Sequence, residues 1–481
     1  MKIGFELQLD EIPIFLKMAK ILINDYNVRV SGVSLGKRYN EEIKNHPIIN
    51  FNISEFLKYS FRKDITLDEI DGYVHKYGDL GLNRILFIDR VLSKKKYGEL
   101  LHWVIGHLKF YEYYFAEERP DFFVSTMVAG MNQLSAYLVG KKLGIPYIGI
   151  GTTRIPNDRF VICRDLDDSW DTVNKIYSEL NRIRKPASER AKSFIREFEK
   201  RPIRPKYMKT IWQACSIQKS HIKEFLNRAF SYYMKGWGFG NNRFDYWTYS
   251  PLYYAKRELI KMIKISLYGR SKKFKKYKEK EKFILFPLHL EPEATLDVQA
   301  RFFTDQLSAL ENIAKCIPLN CLIYAKEHAS AFGRRKDEFY RRISNIPNVK
   351  LIHPEENTID LIKNAEMIIT LSGTVGWEAL LLKKPVIVLG NVFYNHSDLA
   401  IKVNSYEELE KAVSNILTDR RDKMNTGEYN EKLGRFVDAV FEGSYEGCWD
   451  LPLYNPEVLN SENIRLFVKG LMRDIKNLKN T

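Results

Sequence analysis

The stretch TLSGTVGWEALLLKKPVIVLG, from Thr370 to Gly390, constrains the fold of this chain more than any other. An apolar strand pattern leads through small residues into a helix pattern and back to an apolar strand. The same alternation occurs in three other regions. Two are strand–helix–strand units: KIGFEL, EIPIFLKMAKILINDY and VRVSGVSL, and later PDFFVST, NQLSAYLVGKKLG and IPYIGIG. The third is the series of strands and helices from KFILFPL to TIDLIKNA. Alternating strands and helices predict an α/β protein built on doubly wound, parallel sheets.

A chain of 481 residues is too long for one ordinary core, so two domains are expected. We predict an N-terminal Rossmann-like domain at 1–165, a helical, basic and aromatic linker region at 166–280, a C-terminal Rossmann-like domain at 281–440, and a tail at 441–481 whose helix packs back. Two such domains form a cleft, and ligands bind at the carboxyl ends of the strands. The GxGxxG fingerprint is missing from both halves, which disfavours hydride transfer.

Composition and charge exclude several classes of protein. No apolar run approaches the roughly 20 residues of a membrane span, and the N-terminus lacks the features of a signal peptide, so a cytoplasmic location is expected. The five scattered cysteines include no CxxC pair, which disfavours a disulfide framework or a zinc site. The formal charge of +16 favours anionic partners, whether nucleotide-sugars, lipid headgroups or nucleic acid.

Ser372, Gly373 and Thr374 lie where a strand ends and a helix begins. The first N–H groups of a helix and its dipole favour a phosphate at that point. Gly373 permits close approach of an anion, the two hydroxyls can donate hydrogen bonds, and Glu378 could accept them from ribose hydroxyls. The same residues are explained equally well if Ser372 or Thr374 caps the helix and the charge of Glu378 interacts with the helix dipole.

Two further sets of polar residues follow other predicted strands. His289, Glu291 and Glu293 come after FPL, where paired carboxylates beside an imidazole suit a general base or nucleophile at an anomeric carbon. Lys326 and His328 end the next strand and could neutralise a phosphate. Each set alone could be a solvated turn or a structural histidine. Their position at successive strand ends of one sheet predicts a single site.

These segments, FPLHLEPEAT, YAKEHAS and TLSGTVGWEALLLKKPVIVLGNVFY, resemble in order and spacing the capsule polysaccharide biosynthesis family. That family comprises GT-B glycosyltransferases and includes the Kdo transferases of bacterial capsules. The resemblance covers roughly residues 283–400, and PDFFVST to NDRFVI resembles the family's acceptor domain less specifically. It implies a GT-B-like fold with two Rossmann-like domains, a nucleotide-sugar donor bound by the C-terminal domain (CMP-Kdo in the characterised branch), no cofactor and no metal.

The resemblance also implies roles for individual residues. His328, Ser372 and Thr374 would hold the donor phosphate, and Glu291 and Glu293 would lie beside the reacting sugar. The chain departs from the family in having Glu291 where glutamine is usual. An extra negative charge beside an anionic sugar is unfavourable unless it is paired, which leaves a donor other than CMP-Kdo open. A second departure is an alanine, instead of proline, after the histidine of KEHAS.

For the chemistry, we predict that Glu293 is the carboxylate nearest the anomeric carbon, with His289 as its partner. Retention through Glu293 and inversion through a base at Glu6 or Asp10 both remain open. The acceptor is expected at strand-end loops of the N-terminal domain, at Glu6, Asp10 and Arg154, since Arg154 could bind an acidic sugar or a lipid phosphate. A surface arginine is an equally good interpretation of Arg154.

Two other tracts bear on partners. The DxD pattern at Asp165 to Asp168 is typical of acids at a helix start, and no metal is expected there. The aromatic and lysine tract from Tyr232 to Lys282 could rest on the inner face of an anionic membrane, or pack as core aromatics below a solvated face.

The leading hypothesis is therefore a glycosyltransferase that moves a sugar from a nucleotide-sugar, CMP-Kdo or a related CMP- or UDP-sugar, to a surface polysaccharide or glycolipid. A UDP-sugar 2-epimerase-like enzyme is the alternative within enzymes. A nucleic-acid-binding protein is a third reading of the charge, but no RNP, KH or helix-turn-helix signature supports it.

Overall fold

The computed structural model describes most of the chain, in two compact units. The described residues are 1–8, 11–36, 40–61, 64–89, 92, 95–154, 156, 158–166, 169–202, 251–269, 271, 273–420, 426–452 and 455–479. The N-terminal unit combines the described residues of Met1–Leu166 with those of Ser444–Thr481. The C-terminal unit consists of the described residues between them.

The N-terminal unit alternates strands and helices as its sequence pattern predicts. Its strands are β1 (Lys2–Leu7), β2 (Arg29–Ser34), β3 (Ile49–Asn52), β4 (Phe122–Thr126), β5 (Tyr147–Thr152), β6 (Arg159–Cys163) and, in the tail, β13 (Tyr445–Glu446). Its helices are α1 (Ile12–Tyr26), α2 (Asn40–Lys44), α3 (Ile53–Ser60), α4 (Leu67–Tyr77), α5 (Ile85–Ile88), α6 (Tyr97–Glu118), α7 (Met131–Leu143) and, in the tail, α18 (Ser461–Lys479), with 3₁₀ turns at Gly78–Leu80, Leu82–Arg84 and Pro456–Leu459.

The N-terminal sheet has the strand order β13-β6-β5-β4-β1-β2-β3. The strands from β5 to β3 pair in parallel, whereas β6 pairs antiparallel with β5 and β13. Helices α1 and α18 share the core on one face, where Phe5, Phe15 and Phe467 are fully buried. The tail helix thus completes the core of the unit that begins the chain.

The C-terminal unit repeats the alternation. Its strands are β7 (Phe283–Pro287), β8 (Leu322–Lys326), β9 (Val349–Ile352), β10 (Ile368–Thr370), β11 (Val386–Val388) and β12 (Ile401–Lys402). Its helices are α8 (Asp171–Arg182), α9 (Glu189–Lys200), α10 (Pro251–Gly269), α11 (Ala294–Asp297), α12 (Gln306–Lys315), α13 (Asp337–Ser344), α14 (Thr358–Asn364), α15 (Thr374–Leu381), α16 (Tyr406–Asn415) and α17 (Gly427–Gly443), with a 3₁₀ turn at Phe393–Ser397 and a π-helical turn at Ile416–Arg420.

The C-terminal sheet is parallel throughout its described strands, in the order β12-β11-β10-β7-β8-β9. Every residue of β7, β10 and β11 is buried, as expected for strands covered by helices on both faces. The predicted α/β fold with two Rossmann-like sheets is confirmed. The sheets are mostly parallel, but the fully parallel arrangement that was predicted forms only in the C-terminal unit, because β6 and β13 pair antiparallel in the N-terminal unit.

The linker region that the sequence places at 166–280 is described only in part. Helices α8, α9 and α10 belong to the C-terminal unit, where Trp170 stacks on Phe393 with ring centroids 3.7 Å apart. Residues 203–250, which hold much of the aromatic and basic tract, lie outside the described residues. Among the helices that the structure describes, none is long and apolar enough to cross a membrane.

Candidate active site

The three predicted sets of polar residues meet at one edge of the C-terminal sheet. Strands β10, β7 and β8 are neighbours and run in parallel, so their carboxyl ends share an edge. His289 follows β7, Lys326 ends β8, and Ser372 follows β10. In doubly wound sheets this edge is where ligands bind.

The turn between β10 and α15 is built around Gly373. Gly373 is the N-cap of α15 and adopts φ 92° and ψ 179°, a conformation that is open essentially only to glycine. A Cβ at this position would lie 3.2 Å from Cε1 of His289. The predicted alternative of a cap at Ser372 or Thr374 is not what forms, because glycine holds the cap and has no side-chain acceptor for the first N–H groups of the helix.

Ser372 and Thr374 differ in their access to solvent. Ser372 is buried, and its carbonyl accepts a hydrogen bond of 2.6 Å from Oγ1 of Thr370. Thr374 is the first residue of α15 and is partly exposed. Glu378, predicted to reach ribose hydroxyls, lies one turn further along and is 9% exposed. The accessible part of the turn is therefore the start of the helix at Gly373 and Thr374.

A hydrogen bond from Tyr394 also holds this turn, and it was not predicted from the sequence. Oη of Tyr394 donates a hydrogen bond of 2.9 Å to the carbonyl of Gly373. A Cβ at Gly376 would lie 2.0 Å from the same Oη, so the glycine leaves room for the tyrosine. The pair Gly376 and Tyr394 fixes the turn from the side of the loop after β11.

His289 lies beneath the turn. Its ring is buried, with Nε2 3.5 Å from Oγ1 of Thr370, and its backbone N–H donates to Oε1 of Gln306 at 2.6 Å. Burial, helped by the charge of Arg335, lowers the pKa of His289 to about 3. The imidazole is therefore neutral at neutral pH, and its contacts position the turn and the segment after β7.

Arg335 is the centre of a charged cluster that sequence analysis missed. It is buried, its Nε lies 2.9 Å from Oε2 of Glu327, its Nη1 lies 3.3 Å from Oε2 of Glu291, and its Nη2 donates to the carbonyl of His289. Burial disfavours the guanidinium charge, but the carboxylates of Glu327 and Glu291 outweigh it and raise the pKa of Arg335. The extra negative charge at Glu291 is thus paired.

Gln306 completes this cluster. Its Nε2 donates to the carbonyl of His289 at 3.1 Å and to Oε1 of Glu291. Both carboxylate oxygens of Glu291 therefore have partners within the protein, although its side chain is 34% exposed. A signal for Gln306 was present in the sequence, since it shares the buried side of α12 with Leu310 and Ile313, where a polar residue is out of place. Arg335 had no such signal among the neighbouring charges of GRRKDEFYRR.

Lys326 and His328 do not act as the pair of cations that the sequence suggests. Nζ of Lys326 is buried and donates to the carbonyl of Pro354 at 3.0 Å. The N–H of Ser330 donates to Nδ1 of His328 at 3.2 Å, which places the ring proton on Nε2. Burial, with nearby Lys326, lowers the pKa of His328 to about 4. His328 therefore offers a neutral Nε2–H donor at neutral pH.

Glu293 stands at the start of the short helix α11. It is partly exposed, and its carbonyl accepts hydrogen bonds of 2.9 Å from the N–H groups of Leu296 and Asp297. Of the carboxylates that follow β7, that of Glu291 is thus held by Gln306 and Arg335, while Glu293 is the residue immediately before α11.

The carboxyl edge of the N-terminal sheet contains a buried carboxyl group. Glu6 is 0% exposed and accepts hydrogen bonds from Oγ of Ser125 and Nδ2 of Asn132. Burial raises the pKa of Glu6 to about 7, although these hydrogen bonds oppose the shift. Since both oxygens are engaged within the unit, the predicted contact between Glu6 and an acceptor would require the side chain to move.

Other polar groups at this edge are more accessible. Gln8 and Thr126 are partly exposed, and Nε2 of Gln133 donates to both, at 3.3 Å to Oγ1 of Thr126. Arg154 adopts φ 65°, and its N–H donates to Oγ1 of Thr152 at 3.1 Å. Asp10, predicted to bind the acceptor, lies outside the described residues.

Within the described part of the chain, no group of three or more His, Cys, Asp and Glu side chains is arranged to hold a metal ion. In the acidic run of the DxD pattern, Asp167 and Asp168 lie outside the described residues.

Comparison with known proteins finds matches to parts of this chain. A family model described as capsule polysaccharide biosynthesis protein matches residues 183–419. Among curated proteins, protein FixF of Sinorhizobium fredii is 46% identical over 57 residues, which cover 12% of this chain and only 14% of that relative.

Solved structures with a similar fold include a glycosyltransferase and an epimerase. The β-Kdo 2,4-transferase KpsC of Thermosulfurimonas dismutans is 16% identical, with 73% of this chain and 87% of that chain covered and a TM-score of 0.34. The UDP-GlcNAc 2-epimerase of Methanocaldococcus jannaschii, in complex with UDP-GlcNAc and UDP, is 18% identical over 91% and 99% of the two chains, with a TM-score of 0.30. At these TM-scores neither likeness carries a further conclusion.

Proposed function

We propose that the protein is a glycosyltransferase that moves a sugar from a nucleotide-sugar donor to a glycan or glycolipid acceptor, because residues 183–419 match the model of the capsule polysaccharide biosynthesis family. The observation that carries this proposal is the edge formed by β10, β7 and β8, where a glycine-capped helix start, a neutral histidine donor and carboxylates lie together. This combination suits a ligand with a phosphate next to a reacting sugar carbon.

The donor phosphate binds at the start of α15. The first N–H groups of the helix, the hydroxyl of Thr374 and the Nε2–H of His328 face the charge that grows on the leaving nucleotide. The turn is held before the reaction begins, since Tyr394 donates a hydrogen bond to the carbonyl of Gly373. Stabilisation of the leaving group by N–H and O–H donors is the basis for proposing that transfer needs no metal.

Glu293 is the proposed catalytic carboxylate, acting at the anomeric carbon as nucleophile or through its charge. His289 and Glu291 act as positioning residues instead, because their polar groups already bind Thr370, Gln306 and Arg335. If transfer inverts the anomeric carbon, a base from the acceptor side is required, and Glu6 and Asp10 are the candidates.

The donor is CMP-Kdo or a related CMP- or UDP-sugar. The sequence argument against an anionic sugar was the unpaired charge of Glu291, and the ion pair with Arg335 compensates that charge. The acceptor binds to the N-terminal unit, where the partly exposed amide of Gln8 and hydroxyl of Thr126 suit sugar hydroxyls. The net charge of +16 supports contact with an anionic membrane that bears the acceptor.

A thermal-shift panel of CMP, UDP, GDP and their sugars tests donor binding, because a ligand that binds the folded state raises its apparent stability. Binding is expected for a CMP- or UDP-sugar, and Thr374→Val with His328→Phe should lower its affinity at least about tenfold through two lost donors. Transfer is then measured with that donor and a glycan acceptor. Epimerisation or hydrolysis of the donor without any transfer would overturn the proposal in favour of an epimerase-like enzyme.

A further inference from the structure

Helix α10 has apolar side chains on two opposite faces. On the inner face, Ile265 and Tyr268 are buried in the core of the C-terminal unit. Four side chains of the outer face are about half exposed and are called the outer ridge: Leu259 (59%), Ile260 (43%), Ile263 (52%) and Leu267 (64%). A surface helix normally presents polar side chains to water, so the outer ridge needs an explanation of its own.

The ridge is continuous. Leu259, Ile263 and Leu267 are spaced four residues apart and therefore line up along one side of the helix, with Ile260 next to them. At the rise of an α-helix, the line extends for about 12 Å. Single exposed apolar residues are common on protein surfaces, but a straight apolar line fits contact with an extended apolar layer.

Cations flank the ridge in the sequence. Lys256 and Arg257 are exposed at the N-terminal end, and Lys256 shares the face of Leu259, three residues later. After the helix, residues 272–282 contain seven lysines and two glutamates. Five of these lysines are described as exposed: Lys273, Lys275, Lys276, Lys278 and Lys280.

We infer that the outer ridge docks α10 on an anionic lipid bilayer, with the helix axis parallel to the membrane surface. Apolar side chains enter the boundary between headgroups and acyl chains, while the lysines at either end bind anionic headgroups. The inference rests on the proposed membrane contact and adds the surface that makes it; sugar transfer itself is independent of it.

Other occupants fit the ridge less well. In contact with a second copy of the chain, four half-exposed side chains cover much less than the roughly 800 Å² that each partner buries in a stable interface. Nucleic acid would pair with the lysines but would leave the apolar ridge in water. A bilayer uses both features at once.

Vesicle sedimentation tests the inference with the full chain. Vesicles of equal parts phosphatidylglycerol and phosphatidylcholine are compared with pure phosphatidylcholine, at salt concentrations of about 0.1 M and about 1 M, since high salt screens the lysines but not the ridge. The ridge variant is Leu259→Gln with Ile263→Gln. The matched control is Leu67→Gln with Leu319→Gln, whose leucines are 79% and 107% exposed elsewhere on the protein.

The wild-type protein is expected to sediment with the anionic vesicles at low salt. The ridge variant should bind them about tenfold more weakly, because two apolar side chains no longer enter the bilayer, and the control should stay within about twofold. Equal binding by the ridge variant and the control would overturn the ridge as the docking surface while leaving membrane contact intact. A wild-type protein that binds no vesicle would remove membrane contact altogether.

Two further measurements decide between occupants. Light scattering that shows a dimer for the wild type and a monomer for the ridge variant would assign the ridge to a second copy and overturn the membrane. The melting temperature of the ridge variant should match that of the wild type, and a lower value would show that the ridge is covered in the folded chain.

Transfer to a water-soluble acceptor, measured on the same samples, tests the glycosyltransferase proposal separately.

Discussion

The carboxyl edges of the two sheets bury charged groups in different ways. At the C-terminal edge, Glu327 is buried against the guanidinium of Arg335, at 2.9 Å, so that opposite charges are paired. At the N-terminal edge, Glu6 is buried against a hydroxyl and an amide, and its pKa rises to about 7. A buried glutamate at the carboxyl edge of a sheet is thus part of an ion pair in one unit and a hydrogen-bonded group with a raised pKa in the other.

The difference bears on what each edge can bind. With Glu291 and Glu327 paired to Arg335, and with His289 and His328 neutral, the C-terminal edge presents N–H and O–H donors, which suit an anionic leaving group. The N-terminal edge presents amides and hydroxyls, which suit the hydroxyls of an acceptor sugar. Four predictions test this contrast, beginning with the largest expected effect.

Arg335→Met should be the most damaging change. It leaves two carboxylates, one of them fully buried, without their counter-charge, and the free energy of unfolding is expected to fall by about 3 to 5 kcal/mol in urea denaturation. The control is Arg342→Met, which breaks an exposed ion pair with Glu311, 2.8 Å long, and should cost less than about 1 kcal/mol.

The pairing explanation for Arg335 has its own check. Glu327→Gln added to Arg335→Met should restore part of the lost stability, because it removes the charge that was left unpaired. Equal losses for the arginine variants at 335 and 342, or no recovery in the double variant, would contradict a charge-balanced C-terminal edge.

Glu6 should make the stability of the N-terminal unit depend on pH. The folded-state pKa lies above the ordinary value of 4.5, so the contribution of Glu6 is complete below about pH 4.5 and is lost as the pH rises through about 7. Between pH 5 and pH 8, the wild type should lose roughly 2 to 3 kcal/mol relative to Glu6→Gln, which cannot ionise. Urea denaturation at the two pH values measures the difference, and a constant difference would mean that Glu6 is already ionised at pH 5.

Gly373→Ala should weaken nucleotide binding at the C-terminal edge. The alanine would have to adopt a φ of 92°, and its Cβ would lie 3.2 Å from the ring of His289. We therefore expect about 1 to 3 kcal/mol of strain and at least about tenfold weaker nucleotide binding by calorimetry. Gly144→Ala is the matched control, since its φ is 73° and its Cβ would meet no described atom within 4 Å. If both variants bind nucleotide like the wild type, the turn is not the phosphate site.

Tyr394→Phe should have the smallest effect. It removes the hydrogen bond to the carbonyl of Gly373, worth about 1 kcal/mol, and should weaken nucleotide binding about fivefold. Tyr429→Phe is the control, because its hydroxyl binds the carbonyl of Leu380 at the far end of α15, at 3.2 Å. Similar nucleotide affinities for the two variants would show that the hydrogen bond from Tyr394 does not support the nucleotide-binding turn.

Much of the fold and the location of the site could be predicted from the sequence. Strand and helix patterns are local, and parallel strands place their carboxyl ends at one edge, so His289, Lys326 and Ser372 were expected together. The roles of single groups were harder to predict. Glu291 looked like an unpaired charge and His328 like a cation, because a pattern does not reveal which distant side chain lies next to a group.

The sequence alone determined that this chain forms two α/β units with mainly parallel sheets and that a helix with Ser372, Gly373 and Thr374 at its start follows a buried strand. These features depend on periodicity and on the backbone freedom of glycine, which are local properties. Only the tertiary structure decided that Arg335 pairs with Glu291, that His328 is neutral, and that Glu6 is enclosed. Those outcomes depend on burial and on charges from remote parts of the chain, and the folded packing sets both.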